Sequence, residues 1–374
     1  MQWGLVSGKL DQTATGSAAN YDLGFHHSVV VKGIAPFTKV YYTCGDAAGG
    51  VSAQFSTTTS RAAGDTTPFT VSIVGDMGTT NGQASTAGLI ASQASAEFTW
   101  HIGDISYADD GVETLYEATW NDYMNRVQPF AANQAYMTLP GNHEATCSEK
   151  LPFECSNAHR NFTAYLTRFR MPWPESGGVN NMWYSFDHGM VHFVSISTET
   201  DFPGAAEGPG THLNAGPFGN QVAWLISDLK RAAANRANVP WIVVSGHRPL
   251  YSGGHSEAPV IAFLEPIFLQ FDVDLYFAGH VHWYERLWPV INGTLVQKDY
   301  VNPRSPVYIV NGAGGNVEGP TKESQSPDWQ AFLNKKSFGF GQLTFESASK
   351  ASWKFFRADD SMALDDQFTM VKKR

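Results

Sequence analysis

Five short apolar segments of this sequence end in the same way. Each runs into a glycine, directly or after one further residue, and a side chain that can bind a metal ion follows it. The segments are Phe69–Val74, Phe98–Ile102, Gln134–Leu139, Pro240–Ser245 and Leu275–Ala278. Short apolar runs that stop at glycine are typical of buried strands. Helix-forming stretches separate several of them, and strands that alternate with helices predict an α/β fold.

The predicted helices lie between these strands, and further strands follow them along the chain. Helices are expected at Gln83–Glu97, Leu115–Val127, Gln221–Ala234 and Val260–Phe271. Pro129 is expected to stop the second helix, because proline lacks the amide hydrogen that a helix interior needs. Additional strands are predicted at Met182–Phe186, Val191–Ser197, Val307–Val310, Gly339–Phe345 and Ser352–Phe356.

The side chains after the five glycines carry oxygen or nitrogen donors. In chain order they are Asp76, Asp104, Tyr107, Asn142, His143, His247, His280 and His282. Ligands of open α/β sheets bind at the carboxyl ends of the strands, so these side chains are expected to converge there. Imidazole is a common ligand of zinc, iron, copper and nickel. One glycine–aspartate pair after a strand is usually a turn, but five such ends in one domain favour a metal site.

Composition limits the classes of partner. The hydrophobic fraction of 43% is that of a globular protein. The net charge of -10 argues against a nucleic-acid partner, which usually requires a basic face. An acidic surface also repels phosphate compounds unless a local positive centre, such as a metal ion, attracts them. The sequence contains no apolar run of about 18 residues, so neither a transmembrane helix nor a membrane partner is expected.

Cysteines and glycosylation triplets indicate a secreted glycoprotein. Cys147 and Cys155 bracket a loop that one disulfide can close, and Asn161–Thr163 and Asn292–Thr294 are glycosylation acceptors in principle. Met1 leads directly into a strand-like segment without a signal peptide, so we expect that a leader was removed or that an amino-terminal part is missing. Cys44 is either a buried strand thiol or the partner of a cysteine in such a missing part.

Residues 1–62 have the alternating polar and apolar pattern of an all-β module. Strands are predicted at His27–Lys32, Lys39–Cys44 and Val51–Thr57, and a linker follows. The stretch Pro36–Tyr42 resembles the last strands of a fibronectin type III-like module, with too few strands for a whole sandwich. We therefore expect a truncated module, with an exposed sheet edge that a homodimer can cover. Residues 66–374 are expected to form the catalytic domain.

The five strand ends resemble the five sequence blocks of the purple acid phosphatases, which are binuclear metallophosphoesterases. The blocks are Gly75-Asp-Met-Gly78, Gly103-Asp-Ile-Ser-Tyr107, Gly141-Asn-His-Glu144, Val244-Ser-Gly-His247 and Gly279-His-Val-His282. The resemblance covers residues 69–374. It implies a four-layer α/β/β/α sandwich, in which two sheets are flanked by helices and the metals lie at the sheet edge. The β module in front matches the high-molecular-weight members.

The resemblance also implies a ligand set. Fe(III) would be bound by Asp76, Tyr107 and His282, and a divalent ion (Zn, Fe or Mn) would be bound by the residues Asn142, His247 and His280. Asp104 would bridge the two. Many relatives have histidine where this chain has Gly78, and Tyr107 offers a hard phenolate ligand instead, which argues for iron.

The implied activity is hydrolysis of phosphate monoesters by a metal-bound hydroxide, with phytate among the conceivable substrates. His143 resembles the histidine that contacts phosphate or protonates the leaving alcohol. His255 is a second candidate for that role, and a solvated loop histidine is the alternative. Arg248 is expected to hold its loop, and Tyr284–Arg286 to support the histidine loop. The alternatives are a phosphodiesterase or nucleotide pyrophosphatase on the same metals, and a binding module without turnover.

Overall fold

The computed structural model describes residues 1–21, 24–148, 155–205, 215–358 and 362–372. The first part of the chain is all β. Its strands are β1 Gln2–Gly4, β2 Gln12–Thr13, β3 Ser17–Tyr21, β4 Gly24–Ser28, β5 Lys39–Thr43, β6 Gly45–Asp46, β7 Gly50–Val51 and β8 Phe55–Thr58. Four of them form an antiparallel sheet in the order β2-β1-β5-β8, while β3 pairs with β4 and β6 with β7.

The strand predicted at His27–Lys32 is displaced. β4 covers Gly24–Ser28 and pairs with β3, with Ser28 opposite Ser17 at the end of the register. Residues 29–32 extend past Ser17, the first residue of β3, so the register of that hairpin gives them no paired residue. The run predicted at Val51–Thr57 is divided between β7 and β8.

From Phe69 onwards strands and helices alternate. The strands are β9 Phe69–Val74, β10 Phe98–Ile102, β11 Ala135–Leu139, β12 Tyr184–His188, β13 Val191–Ser195, β14 Trp241–Ser245, β15 Leu275–Ala278, β16 Tyr284–Leu287, β17 Val290–Ile291, β18 Thr294–Leu295, β19 Val307–Asn311, β20 Gln330–Asn334, β21 Gly339–Ser347, β22 Lys350–Arg357 and β23 Ala363–Val371. The α-helices are α1 Gln83–Ser92, α2 Glu113–Ala131, α3 Thr163–Arg168, α4 Trp173–Ser176, α5 Gln221–Ala234 and α6 Ala258–Gln270.

Two helix ends differ from the predictions by more than two residues. α1 stops at Ser92, five residues before Glu97. α2 continues through Pro129 to Ala131. Proline removes one backbone hydrogen bond there, but the neighbouring side chains of Val127 and Phe130 are fully buried in the core, and this burial outweighs the loss.

Two mixed sheets form the centre of the catalytic part. Their strand orders are β11-β10-β9-β21-β22-β23 and β12-β13-β14-β15-β19-β16-β20. Strands β9, β10 and β11 are parallel, and so are β13, β14, β15 and β19. All five glycine-terminated strands therefore belong to two parallel groups, and their carboxyl ends lie at one edge of each sheet.

The sheets pack face to face and helices cover their outer faces. One core cluster lies between the sheets and combines Val71 and Trp100 of the first with Phe193 and Phe277 of the second. A second cluster packs α1 and α2 outside the first sheet, and a third packs α5 and α6 outside the second. The order is helices, sheet, sheet, helices. The predicted four-layer α/β/β/α sandwich is confirmed.

Two of the three cysteines form a disulfide, and the third is free. Cys147 and Cys155 form the predicted disulfide. Cys44 directly follows the last residue of β5 and is exposed with a free thiol, so the prediction of a buried strand thiol is wrong. Asn161 and Asn292 are both exposed. In the described part of the chain, no helix is both long enough and apolar enough to cross a membrane.

Candidate metal centre

The donors named from the sequence meet where the two parallel groups of strands end. Two sets of three ligand atoms each lie within 4.8 Å of one another, one from Asp104, His247 and His280, the other from Asp76, Asp104 and His282. Asp104 belongs to both sets. Two adjoining donor sets with a shared carboxylate form the arrangement that a pair of metal ions requires.

Tyr107 and Asn142 complete the two sets. The Tyr107 hydroxyl lies 3.2 Å from Asp76 Oδ1 and 3.0 Å from His282 Nε2. On the other side, His247 Nε2 lies 2.9 Å from Asp104 Oδ2 and 3.1 Å from Asn142 Oδ1. Donors that surround an ion at roughly 2.0–2.2 Å stand about 3 Å apart, so the residues fit two metal ions.

Backbone carbonyls orient two of the imidazoles. His247 Nδ1 donates to the Ile102 carbonyl at 3.2 Å, and His282 Nδ1 donates to the Gly319 carbonyl at 3.1 Å. Each hydrogen bond places a ring proton on Nδ1 and directs Nε2 at the donor set. Such outer partners fix the tautomer of metal-binding histidines.

Four of the donor residues have left-handed backbone conformations. Their φ angles are 58° for Asp76, 50° for Asp104, 55° for Tyr107 and 68° for His280. Tyrosine rarely adopts this region, and each such residue costs on the order of 1–3 kcal/mol unless its surroundings impose it. Strain of this kind concentrates at functional sites, where it aims side chains.

Two of the strand-terminal glycines allow a close approach of loops. A Cβ atom on Gly141 would lie 2.1 Å from Asp104 Oδ1, and one on Gly279 would lie 2.3 Å from Asp76 Oδ2. Both distances are far inside van der Waals contact. The glycine that ends each of these strands is needed because a carboxylate of the centre occupies the space of a side chain.

The buried side chain of Glu144 connects the loop that follows β10 with the loop that follows β11. It is completely buried, and its carboxylate accepts backbone hydrogen bonds from Asp104 at 3.0 Å, Ile105 at 2.8 Å and Gly141 at 2.9 Å. Burial raises the pKa of Glu144 to about 8, with the Asp104 charge as a second cause. The side chain therefore ties the loop that carries Asp104 to the loop that carries Asn142.

The buried charges of the centre influence one another strongly. Burial by itself would raise the pKa of Asp104, but the neighbouring His247 and His143 lower it well below its ordinary value. Burial would lower the pKa of His247, and Asp104 raises it to about 9. The pKa of Tyr107 lies well above its usual value because of burial and of the nearby Asp76.

Comparison with known proteins identifies this arrangement. Residues 69–284 match the calcineurin-like phosphoesterases, residues 305–366 the iron/zinc purple acid phosphatase-like protein C, and residues 1–59 the purple acid phosphatase N-terminal domain. An acid phosphatase of Aspergillus ficuum is 31% identical over 506 aligned residues, which cover 100% of this chain and 82% of the relative. The chain belongs to the purple acid phosphatase family.

Further relatives agree with this assignment. A probable purple acid phosphatase of Arabidopsis thaliana is 33% identical over 376 residues, covering 97% of this chain and 79% of the relative. The structure of a purple acid phosphatase from yellow lupin seeds superposes with a TM-score of 0.81 at 24% identity, covering 100% of this chain and 69% of that chain, and confirms the fold. This chain is therefore an acid phosphatase with a binuclear metal centre, and the phosphodiesterase, pyrophosphatase and binding-module alternatives are not favoured.

His143 lies in the phosphatase centre beside the donors. Its ring packs on Tyr107 with 4.1 Å between centroids, and its backbone amide donates to Asp104 Oδ1 at 3.1 Å. The ring Nδ1 hydrogen-bonds Asp109 Oδ1 at 3.0 Å, and Nε2 lies 3.8 Å from Asp104 Oδ2. Asp109 thus holds the imidazole with Nε2 towards the metal donors.

His255 lies apart from His143. It is half-buried, and its Nε2 is 3.0 Å from the Glu323 carbonyl. It lines a small cavity together with His280, and it is not among the described residues that line the larger cavity containing His143. The structure therefore places His255 next to the centre but outside the donor sets.

Arg248 and Glu285 make direct contacts with neighbouring loops. For Glu285 the contacted loop is that of His255, and support of the His280–His282 loop by Tyr284–Arg286 stays a prediction. Glu285 accepts hydrogen bonds from the Ser252 hydroxyl at 2.8 Å and the Gly253 amide at 3.1 Å, which ties the His255 loop to β16. The Arg248 guanidinium contacts both Glu199 oxygens at 2.9–3.0 Å and places Nη1 3.0 Å from His280 Nε2. Arg248 also lines the cavity that contains His143.

Sequence reasoning missed Asp109 and Glu199, and also Thr198, whose hydroxyl accepts from the Arg248 amide at 2.7 Å. Asp109 follows Tyr107 by two residues, so the signal was a further carboxylate just after an already recognised block. Thr198 and Glu199 follow β13, which is the neighbour of β14 in the parallel group. Its carboxyl end points to the same sheet edge, so strand order was the information needed to include it.

Proposed function

We propose that this phosphatase hydrolyses phosphate monoesters at an Fe(III)–M(II) centre. Asp76, Tyr107 and His282 would bind the ferric ion, and the residues that would bind a divalent ion (Zn, Fe or Mn) are Asn142, His247 and His280. The observation that carries this proposal is the sharing of Asp104 by both donor sets. The shared carboxylate would bridge the two ions.

The sequence block Gly75–Gly78 supports iron as the ion bound by Tyr107. Position 78 is a glycine, and a Cβ there would lie 3.4 Å from Tyr107 Cδ2. A histidine at this position would compete with the tyrosine ring for the same side of the centre. A phenolate is a hard anionic ligand, and hard anionic oxygen suits a trivalent ion better than a softer one.

The metal ions, when bound, would supply the positive charge that holds the phosphate group, stabilises the transition state and activates water. His143 would contribute a proton at Nε2 to the departing alcohol oxygen. Its Nδ1 bond to Asp109 keeps the ring in one orientation during this transfer. We assign a second phosphate-contacting role to His255, supported by the cavity that it shares with His280.

Several properties outside the centre are proposed with it. Exposure of Asn161 and Asn292 and the Cys147–Cys155 disulfide support a secreted glycoprotein. We place the boundary between a fibronectin-like β module and the catalytic domain at residues 62–66; the antiparallel sheet β2-β1-β5-β8 supports the likeness. The edges of that sheet would be covered in a homodimer.

Metal content and the visible spectrum test the assignment of the metals. We expect about two metal ions per chain and a visible band from tyrosinate bound to ferric iron. Tyr107→Phe should abolish the band, whereas Tyr41→Phe in the β module should leave it unchanged. A colourless protein with two zinc ions would overturn the iron assignment.

Hydrolysis of phenyl phosphate tests the site itself. Asp104→Asn removes the shared charge, and we expect turnover to fall by at least about 10²-fold with the fold retained by circular dichroism. Asp122→Asn makes the same chemical change at the surface, where Asp122 pairs with Arg126, and should leave turnover unchanged. Full activity of the Asp104 variant would mean that the centre has been assigned to the wrong residues.

A further inference from the structure

The cavity at the metal donors has a second wall that no step of the proposed chemistry uses. Its volume is about 320 Å³, at the lower end of the range of about 300–1,000 Å³ for small-molecule sites. Asp104, Asn142 and His143 belong to its polar lining. Its apolar lining, the second wall, consists of Phe202, Gly204, Ala205, Pro259 and Val260. A phosphate ester bound at the donors in this cavity would have the second wall available to its alcohol part.

The second wall is apolar and firmly built. Phe202 stacks on Phe263 with 4.9 Å between the ring centroids and 10° between the planes. Phe202 and Val260, the latter a residue of α6, are both buried in the core cluster that packs α5 and α6 on the second sheet. A wall supported in this way offers apolar surface in a fixed position, so an apolar group can be buried against it without ordering loose side chains.

The charged residues of the cavity are mostly acidic. Apart from Asp104, they are Glu199, Glu257, Glu318 and one arginine, Arg248. Both Glu199 oxygens and Glu257 Oε1 already contact the Arg248 guanidinium, the latter at 3.2 Å. Arg248 is the only lysine or arginine among the described residues that line the cavity.

We infer that the phosphatase selects monoesters whose alcohol part is uncharged and apolar, aromatic alcohols included, and discriminates against substrates with further anionic groups. This inference rests on the proposed function, because the metal centre must hold the phosphate that is cleaved. A second phosphate or carboxylate on the alcohol would face Glu257 and Glu318 without a free cation to receive it. Such repulsion acts over short distances and weakens with salt. Phytate carries several such groups and would be a poor substrate.

A pair of matched substrates tests the predicted discrimination against charged alcohol groups. Phenyl phosphate and 4-carboxyphenyl phosphate differ by one carboxylate on the leaving group. We expect kcat/KM for the charged ester to be about 3- to 10-fold lower at low ionic strength, with the difference shrinking in 1 M salt. Phytate should be hydrolysed more slowly than either. Equal kcat/KM values for the two aryl esters would overturn the inference.

Alkyl esters test the apolar wall separately from leaving-group reactivity. Hexyl phosphate and glycerol 1-phosphate both release primary alcohols, but only the hexyl chain can bury apolar surface. A KM at least about threefold lower for hexyl phosphate is expected from that burial. A lower KM for glycerol phosphate would place the alcohol elsewhere.

Charge variants locate the discrimination. Glu257→Gln should raise the ratio of kcat/KM for the carboxylated ester to that for phenyl phosphate by about threefold or more. Glu175→Gln removes a carboxylate that pairs with Arg170 away from this cavity, and should leave the ratio unchanged. An unchanged ratio in the Glu257 variant would refute the role of this wall. Absence of phenyl phosphate hydrolysis by the metal-loaded wild type would instead refute the proposed function.

Discussion

Gly141 offers a sharp test of how the centre is held together. Its backbone is extended, with φ of -109°, so alanine is conformationally acceptable there. The obstacle is steric, because the alanine Cβ would lie 2.1 Å from Asp104 Oδ1 and 2.6 Å from the Asp104 amide nitrogen. Gly141→Ala must therefore push apart the loop that carries Asn142 and the loop that carries Asp104.

The size of the effect follows from that displacement. Ordinary contact begins near 3.4 Å, so the loops must separate by about 1 Å or more. A misplacement of about 1 Å costs on the order of 10²-fold in rate when it affects a reacting constellation. Overpacking in a dense interior costs about 1–3 kcal/mol of stability. We expect a folded protein with a lower melting temperature, reduced metal content and turnover of phenyl phosphate lowered about 10²-fold.

Three measurements on one preparation check this prediction: metal content, thermal unfolding and phenyl phosphate turnover. Gly111→Ala is the matched control, because its Cβ would only touch the Ala108 carbonyl oxygen at 3.7 Å. It should retain its metals and its rate. A Gly141→Ala protein with two metals and wild-type turnover would refute the idea that close approach of the two loops fixes Asp104.

Two further predictions concern histidines held by carboxylates. Asp109→Asn replaces the carboxylate that accepts a hydrogen bond from His143 Nδ1. We expect kcat to fall by about 10- to 100-fold, with KM and thermal stability little changed. An unaltered kcat would contradict the role of Asp109 in orienting His143. His192 contacts Asp187 at 2.7 Å and Asp228 at 2.9 Å; burial lowers its pKa, but the two carboxylates raise it to about 9. Because a pKa of about 9 exceeds the value of about 6.5 in the unfolded chain, the ion pairs of His192 with these two carboxylates stabilise the fold by about 3 kcal/mol below pH 6.5. This stabilisation disappears as the pH rises to about 9. His192→Gln should therefore lower the urea midpoint at pH 6 much more than at pH 10, and an equal loss at both would contradict the charge assignment.

The fold of the catalytic part could be predicted because it depends on strong local patterns. Buried strands such as Trp241–Ser245 are short apolar runs with glycine at the end, and their bounds agree closely with the structure. The β module was less predictable. Residues 29–32 have strand-forming composition, but whether they pair depends on the length of the partner strand Ser17–Tyr21. Pro129 failed as a helix stop because burial of its neighbours was invisible in the sequence.

The donors of the metal centre were nameable from the sequence for a physical reason. Their side chains follow strand ends, and parallel strands bring their carboxyl ends to one edge. Which donors lie together depends on strand order across two sheets, which is a property of the tertiary structure. Glu199 and Arg248 illustrate the difference, since their contact spans β13 and β14 and has no local signal.

The sequence by itself determined the chemistry that this chain can hold: carboxylates, imidazoles, an amide and a phenol, each placed after a glycine-terminated strand. The family resemblance implied that Asp104 is shared, and the tertiary structure brings it into both donor sets. Only the tertiary structure decided that Asp109 orients His143 and that the cavity at the donors has an apolar wall. The reason is that side-chain type and spacing are local properties. Sharing, orientation and enclosure arise only when segments far apart in the chain pack against one another.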